Sequence, residues 1–127
     1  MEMNFLDNLF TIKSIAETES GFEAVLQCNP AHAVYQAHFP GNPITPGACL
    51  LQTASKLLQQ KLGRPLFLQS SKNTKFLNVL IPAQGKEVRF AFSRILTDET
   101  SCKAQVVIAD ETTVYTKMSL TYSYEPI

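Results

Sequence analysis

Apolar and polar side chains alternate along several stretches of this chain with a period of two, which is typical of β-strands that bury one face. The alternation is clearest at residues 22–28, where one face carries Phe22, Ala24, Leu26 and Cys28. Similar stretches predict further strands at residues 9–17, 65–69, 75–81, 86–96, 102–109 and 112–124. The breaks between the last three are short, which favours antiparallel hairpins.

A different spacing follows residue 47, where apolar residues recur every three or four positions, as on one face of an α-helix. That face carries Leu51, Ala54, Leu58 and Leu62. Thr45 is predicted as the N-cap, Pro46 as the first helical residue and Gly63 as the end of the helix. The prolines and glycines of residues 30–47 predict an irregular connection before it. The order of elements predicts a single α+β domain over residues 1–127, with the helix packed on an antiparallel sheet.

The charges are unevenly distributed, although the formal net charge of the 127 residues is zero. Residues 56–103 hold nine basic and three acidic residues, a balance of +6, against −4 for residues 1–55 and −2 for residues 104–127. One interpretation is an ordinary solvated surface, and the other is a docking surface for an acidic partner. Tandem basic-aromatic motifs are missing from the sequence, so we expect no nucleic-acid binding.

The apolar runs and the first residues of the sequence bear on its location. No run approaches the ~20 apolar residues that span a bilayer. Residues 1–10 include Glu2 and Asp7, and the first basic residue is Lys13, which is unlike the start of a secretory signal. We therefore expect a cytoplasmic protein without membrane insertion.

Cys28, Cys49 and Cys102 are an odd number of cysteines at wide, irregular spacing. This predicts reduced thiols packed as small apolar residues rather than a disulfide framework. A metal site formed by Cys28, His32, His38 and Cys49 is the alternative, but their gaps match no zinc template. We expect no metal.

Residues 38–47 combine a histidine with a chain segment that runs into the N-terminus of the predicted helix. Free backbone N–H groups at such a terminus can bind a carbonyl oxygen that becomes an oxyanion. Histidine titrates near neutrality and is a natural general base. His38 is therefore a candidate for enolate chemistry on a thioester, and the alternative is a loop histidine that only hydrogen-bonds to backbone.

The same residues carry a family resemblance. Residues 38–47 read His-Phe-Pro-Gly-Asn-Pro-Ile-Thr-Pro-Gly and closely resemble the H-F-P-G-x-P-x-x-P-G motif of bacterial 3-hydroxyacyl-ACP dehydratases, where ACP is acyl carrier protein. Residues 35–37 and 75–82 are similar to the segment before that motif and to the family's K-F-x-x-x-V-x-P strand. The resemblance implies a hot-dog fold, in which an antiparallel sheet wraps one long helix, and assembly as a dimer or a trimer of dimers.

The resemblance also implies roles for individual residues. His38 would remove the α-proton of a (3R)-hydroxyacyl thioester, and the Gly47 N–H would polarise the thioester carbonyl. A carboxylate fourteen positions after the histidine, from the partner subunit, would protonate the departing hydroxyl; this chain has Gln52 there. The residues assigned to substrate binding are Tyr35, Phe39, Pro40, Gly41, Pro46 and Leu51, and Ile44 and Leu50 would also line the acyl tunnel. No metal or organic cofactor is implied.

Gln52 leaves three functions open, because an amide can hold a hydroxyl or a water but has no acidic proton to give. No Asp or Glu lies between Glu23 and Glu87 to replace it. The first possible function is that of a dehydratase in which Gln52 positions water and His38 performs both proton transfers. The second is a hot-dog acyl thioesterase, and the third is a non-catalytic subunit that binds acyl-ACP beside an active homologue. Gln52 is alternatively a solvated residue on the flank of the helix.

The family resemblance and the basic span together predict an acyl carrier protein as partner, because these carriers are acidic. The pathway would be fatty-acid synthesis or a specialised polyene or polyketide synthesis. The expected assembly is a homo-oligomer or a hetero-dimer with an active homologue.

Overall fold

The computed structural model describes residues 8–37 and 41–126. Its elements in chain order are β1 (Phe10–Thr18), β2 (Gly21–Cys28), α1 (Val34–Ala37), α2 (Gly47–Leu62), β3 (Phe67–Phe76), β4 (Glu87–Thr97), β5 (Ser101–Ala109) and β6 (Val114–Ser123). The predicted long helix and the antiparallel strands on both sides of it are therefore confirmed. The short helix α1 is a correction, because it lies in a stretch that was predicted to be irregular.

The strands form one six-stranded antiparallel sheet in the order β1-β2-β4-β5-β6-β3. The buried face of β2 carries Phe22, Ala24, Leu26 and Cys28, as its alternation predicts. These residues form one core cluster with the apolar side of α2 and the inward faces of β4, β5 and β6. Burial of that apolar surface holds the helix against the sheet.

The strand β3 differs from its sequence-based prediction. Two strands were predicted on either side of the polar residues 70–73, and the structure has one strand that ends at Phe76. Its partner β6 supplies hydrogen bonds along its length, and two register shifts and a positive φ of 51° at Asn73 absorb the irregularity. As an edge strand with mostly exposed side chains, β3 accepts polar residues that would interrupt a buried strand.

The three cysteine thiols are free and buried, as predicted. Burial raises the pKa of each thiol, because a thiolate loses its hydration inside the protein. These cysteines are accordingly core residues with low nucleophilic character.

Candidate active site

The first turn of α2 has backbone N–H groups that no side chain caps. Thr45 was predicted as the N-cap, but the capping position is held by Pro46, in an extended conformation. The reason is that the buried Thr45 hydroxyl shares a 2.8 Å hydrogen bond with the Tyr35 hydroxyl. The Pro46 carbonyl accepts from the N–H groups of Cys49 and Leu50, at 3.0 and 3.2 Å. The N–H groups of Gly47 and Ala48 precede these bonds, so the helix itself offers them no acceptor and a ligand could supply one.

A pocket of about 340 Å³ opens at this helix terminus. Its apolar lining comes from Ile44, Leu50, Phe76, Val79 and Leu80. Backbone contacts hold its walls in place, because the Thr45 N–H donates to the Leu80 carbonyl at 2.8 Å. An apolar pocket that ends at free N–H groups suits a ligand with a hydrocarbon chain and one polar, electron-rich end.

Gly47 allows an aromatic ring to lie directly on the start of the helix. A methyl group at position 47 would come within 2.6 Å of a ring carbon of Phe76. Phe76 is itself 60% exposed, so its ring forms one outer wall of the pocket. A side chain at position 47 would therefore displace the Phe76 ring from the start of α2.

Three polar side chains also line the pocket, and two of them have partners. Thr45 is bonded to Tyr35, whose pKa is raised because its phenol is buried. The Asn78 amide donates to the Val114 carbonyl at 2.8 Å. Thr116 is fully buried, and its hydroxyl has no hydrogen-bond partner among the described residues.

The structure separates the residues proposed for the site into three groups. Pro46 and Gly47 line the pocket together with Ile44 and Leu50, and Tyr35 is one hydrogen bond away through Thr45. Leu51 packs against the core cluster, and Gln52 and Gly41 are exposed; none of these three lines the pocket. His38, Phe39 and Pro40 lie outside the described residues, so their roles stay predictions.

Sequence reasoning did not select Phe76, Asn78 or Thr116 as site residues. Thr116 shares the inward face of β6 with Met118 and Leu120, which are buried. The available signal was a polar residue at a position of the predicted strand that faces the core. It was missed because a run of Thr, Val, Tyr and Ser is typical of an ordinary strand.

None of the described residues that line the pocket is acidic. Asp110, on the turn between β5 and β6, is occupied with structural hydrogen bonds. Its carboxylate accepts from the Tyr115 hydroxyl and from the N–H groups of Thr112 and Thr113, the latter two at 2.9 Å. These bonds hold its pKa well below the usual range, with the Tyr115 bond as the largest cause. This carboxylate therefore does not replace the one that Gln52 lacks.

Two features of the described part of the chain bear on other classes of function. No group of three or more His, Cys, Asp or Glu side chains there could hold a metal ion. Nor does any helix of that part have the length and apolar character needed to cross a membrane.

The sheet wrapped on α2, together with the motif ahead of that helix, defines a hot-dog protein of the dehydratase class. Residues 14–117 match the ApeI-like family, which is described as ApeI dehydratase, and the chain belongs to that family.

Individual proteins are also similar to this chain. The 3-hydroxyacyl-[acyl-carrier-protein] dehydratase FabZ of Latilactobacillus sakei subsp. sakei (strain 23K) is 29% identical over 96 residues, which are 68% of this chain and 69% of the relative. The dehydratase heterocomplex ApeI:P from Xenorhabdus doucetiae superposes with a TM-score of 0.70 at 15% identity, covering 90% of this chain and 97% of that one. A hypothetical thioesterase with coenzyme A from Streptococcus pneumoniae gives a TM-score of 0.61 at 14% identity, with 91% and 85% covered. The two structural similarities establish the hot-dog fold.

Proposed function

We propose that this protein eliminates water reversibly from a (3R)-hydroxyacyl thioester and forms a trans-2-enoyl thioester. The observation that carries the proposal is the uncapped start of α2, which opens on an apolar pocket of about 340 Å³. Membership of a dehydratase family supports the same reaction class.

The helix terminus would act on the thioester carbonyl. The N–H of Gly47 points along the positive end of the helix dipole, where partial negative charge is favoured. Removal of the proton on C2 shifts charge onto the carbonyl oxygen, and a hydrogen bond from Gly47 stabilises that charge. An acyl chain that fills the pocket would displace water from its apolar walls, which would strengthen the interaction.

His38 would transfer the protons. It takes the C2 proton, and the electron pair delocalised onto the carbonyl oxygen then forms the C2–C3 double bond as the C3–O bond breaks. The departing hydroxyl then receives a proton and leaves as water, so one histidine that takes a proton and returns it balances the reaction. This dual role is consistent with a described pocket lining that contains no acidic residue.

Gln52 would hold the departing hydroxyl or a water through its amide. In one subunit Gln52 is exposed on the second turn of α2 and does not line the pocket. This location fits a residue that is offered to the site of a second subunit. Exposed apolar side chains support such an assembly, namely those of Phe76 and Val79 in the pocket lining and of their chain neighbours Leu77 and Ile81. The second subunit would be another copy of the chain or an active homologue.

The carrier of the acyl group would be an acyl carrier protein. Three of the nine basic residues of the span, Lys72, Arg94 and Lys103, line one groove on the sheet, which supports this partner. An acidic carrier would be attracted to such a cluster, and salt would screen the attraction.

A non-catalytic acyl-ACP-binding subunit is the second candidate, and a specific observation favours it. The described pocket lining holds no carboxylate, and the residue in the family's carboxylate position is an amide. Acyl thioester hydrolysis is a third possible reaction, with Gln52 orienting the attacking water.

A turnover assay tests the proposal. Purified protein should equilibrate 3-hydroxyacyl-ACP with trans-2-enoyl-ACP from either direction, and the rate should fall as salt rises. The same acyl group on coenzyme A serves as the matched control, and we expect it to react more slowly. Free acid and free carrier thiol as the products would identify a thioesterase. Binding without any product would identify the non-catalytic subunit.

A further inference from the structure

The Thr116 hydroxyl is the polar group of the pocket that the proposed reaction leaves without a role. Thr116 is 0% exposed, and its Oγ1 has no hydrogen-bond partner among the described residues. A buried hydroxyl without a partner is destabilising, and nearly all such groups in folded proteins have a protein or water partner. Thr116 lines the pocket, but its hydroxyl has almost no exposed surface and finds no partner among the described residues. A rotation of this side chain towards the pocket would give the hydroxyl a partner on a bound ligand.

Its neighbours place this hydroxyl near the reacting end of the pocket. Thr116 on β6 is the register partner of Phe76 on β3, and both line the pocket. The Phe76 ring in turn lies beside the position that a Cβ of residue 47 would take, at the start of α2. Thr116 thus belongs to the same end of the pocket as the free N–H groups.

The other polar groups in this lining are occupied. The Thr45 hydroxyl is bonded to Tyr35, and the Asn78 amide donates to Val114. A second polar atom on the ligand, beyond the one that faces the helix N–H groups, would therefore find its partner in Thr116.

We propose that the Thr116 hydroxyl binds the C3 hydroxyl of a 3-hydroxyacyl thioester, and so selects oxygenated acyl chains over saturated ones. The inference rests on the proposed function, which assigns the thioester carbonyl to Gly47. The C3 hydroxyl of the ligand can both donate and accept a hydrogen bond, and so can the Thr116 hydroxyl. A saturated chain in the pocket leaves Thr116 buried and unpaired, which weakens its binding. Thr116 is in this account a specificity-determining residue.

The test compares two ligands that differ only at C3. Dissociation constants are measured for 3-hydroxyhexanoyl-pantetheine and hexanoyl-pantetheine, in a His38→Ala background that prevents turnover. Thr116→Val removes the hydroxyl and keeps the shape, whereas Thr116→Ser keeps the hydroxyl. We expect Thr116→Val to reduce the preference for the 3-hydroxyacyl ligand by about threefold to tenfold, which is the effect of one hydrogen bond. Thr116→Ser should retain the preference.

Thermal unfolding of the free protein supplies a second measurement. Thr116→Val should raise the Tm by about 2–5 °C, because an unpaired buried hydroxyl is replaced by a methyl group. A lower Tm with equal weakening of both ligands would mean that the hydroxyl serves the fold, and would overturn the inference. An unchanged preference in Thr116→Val, or no binding of either ligand, would overturn it as well.

The proposed function and this inference fail in different ways. If the wild-type protein prefers the 3-hydroxyacyl ligand through Thr116 but shows no turnover, the proposed dehydratase function is wrong and the role of Thr116 is kept. If the wild-type protein turns over substrate but Thr116→Val keeps the same ligand preference, the dehydratase function is kept and the role of Thr116 is wrong.

Discussion

Replacing His38 with alanine is expected to lower kcat for the interconversion of 3-hydroxyacyl and enoyl thioesters by about 10² to 10⁴. This is the usual contribution of a positioned general acid or base. The loss should reach the upper part of that range, because the account gives His38 both proton transfers. Steady-state rates in both directions, with the same acyl-ACP, measure the effect.

The other histidine of the chain provides the matched control. His32 is buried, and its Nδ1 accepts a hydrogen bond from the Val34 N–H at 3.0 Å, at the start of α1. His32→Asn keeps an acceptor in the side chain and should retain turnover within about threefold, because His32 is given no part in the reaction. Turnover in His38→Ala equal to that of the wild type would contradict the assignment of His38.

Replacing Gln52 with glutamate is expected to raise the rate of elimination by about 10² to 10⁴, because a carboxylic acid can protonate the departing hydroxyl directly. Gln52 is exposed on α2, so the fold should tolerate the change. The gain should require His38 and vanish in the double variant. The rate of enoyl formation, measured beside the wild type, provides the check.

Gln60→Glu is the control for the added charge, since Gln60 is also exposed and lies on the same helix. It should leave the rate within about threefold of the wild type. A Gln52→Glu variant that binds acyl-ACP without a gain in rate would show that position 52 does not face the departing hydroxyl. The family template would then be misapplied at this residue.

The sequence predicted the elements whose signals are local and consistent. The alternation over residues 22–28 identified β2 and its buried face, and the helical spacing from Leu51 to Leu62 identified α2. Gly63 was expected to end this helix, and it does so with a positive φ of 70°. In each case a single pattern agrees with the tertiary structure, and no competing contact alters it.

Long-range contacts explain the incorrect predictions. Thr45 has the chemistry of an N-cap, but the Tyr35 hydroxyl offers it a buried partner, and Pro46 takes the capping position. Residues 70–73 look like a break in a strand, but they extend along β6 as part of an edge strand. Neither the Tyr35 contact nor the place of β3 in the sheet can be read from neighbouring residues.

Only part of the candidate site was predicted from the sequence, because long-range contacts bring in the rest. A continuous motif located Pro46 and Gly47, which the structure places on the pocket wall. Thr116 and Asn78 reach that wall from segments far along the chain, and their roles follow only from the pairing of β3 with β6. The partner-facing role of Gln52 depends on a second subunit, which no pattern within one chain describes.

Incubation of the wild-type protein with a 3-hydroxyacyl-ACP in H₂¹⁸O tests the central claim most directly. Reversible elimination and readdition of water would place ¹⁸O on C3 of the 3-hydroxyacyl group, with the thioester intact, and this is the result we predict. The rate of incorporation should fall to background in His38→Ala. Label in a released carboxylate, or no label at all while acyl-ACP remains bound, would contradict the account.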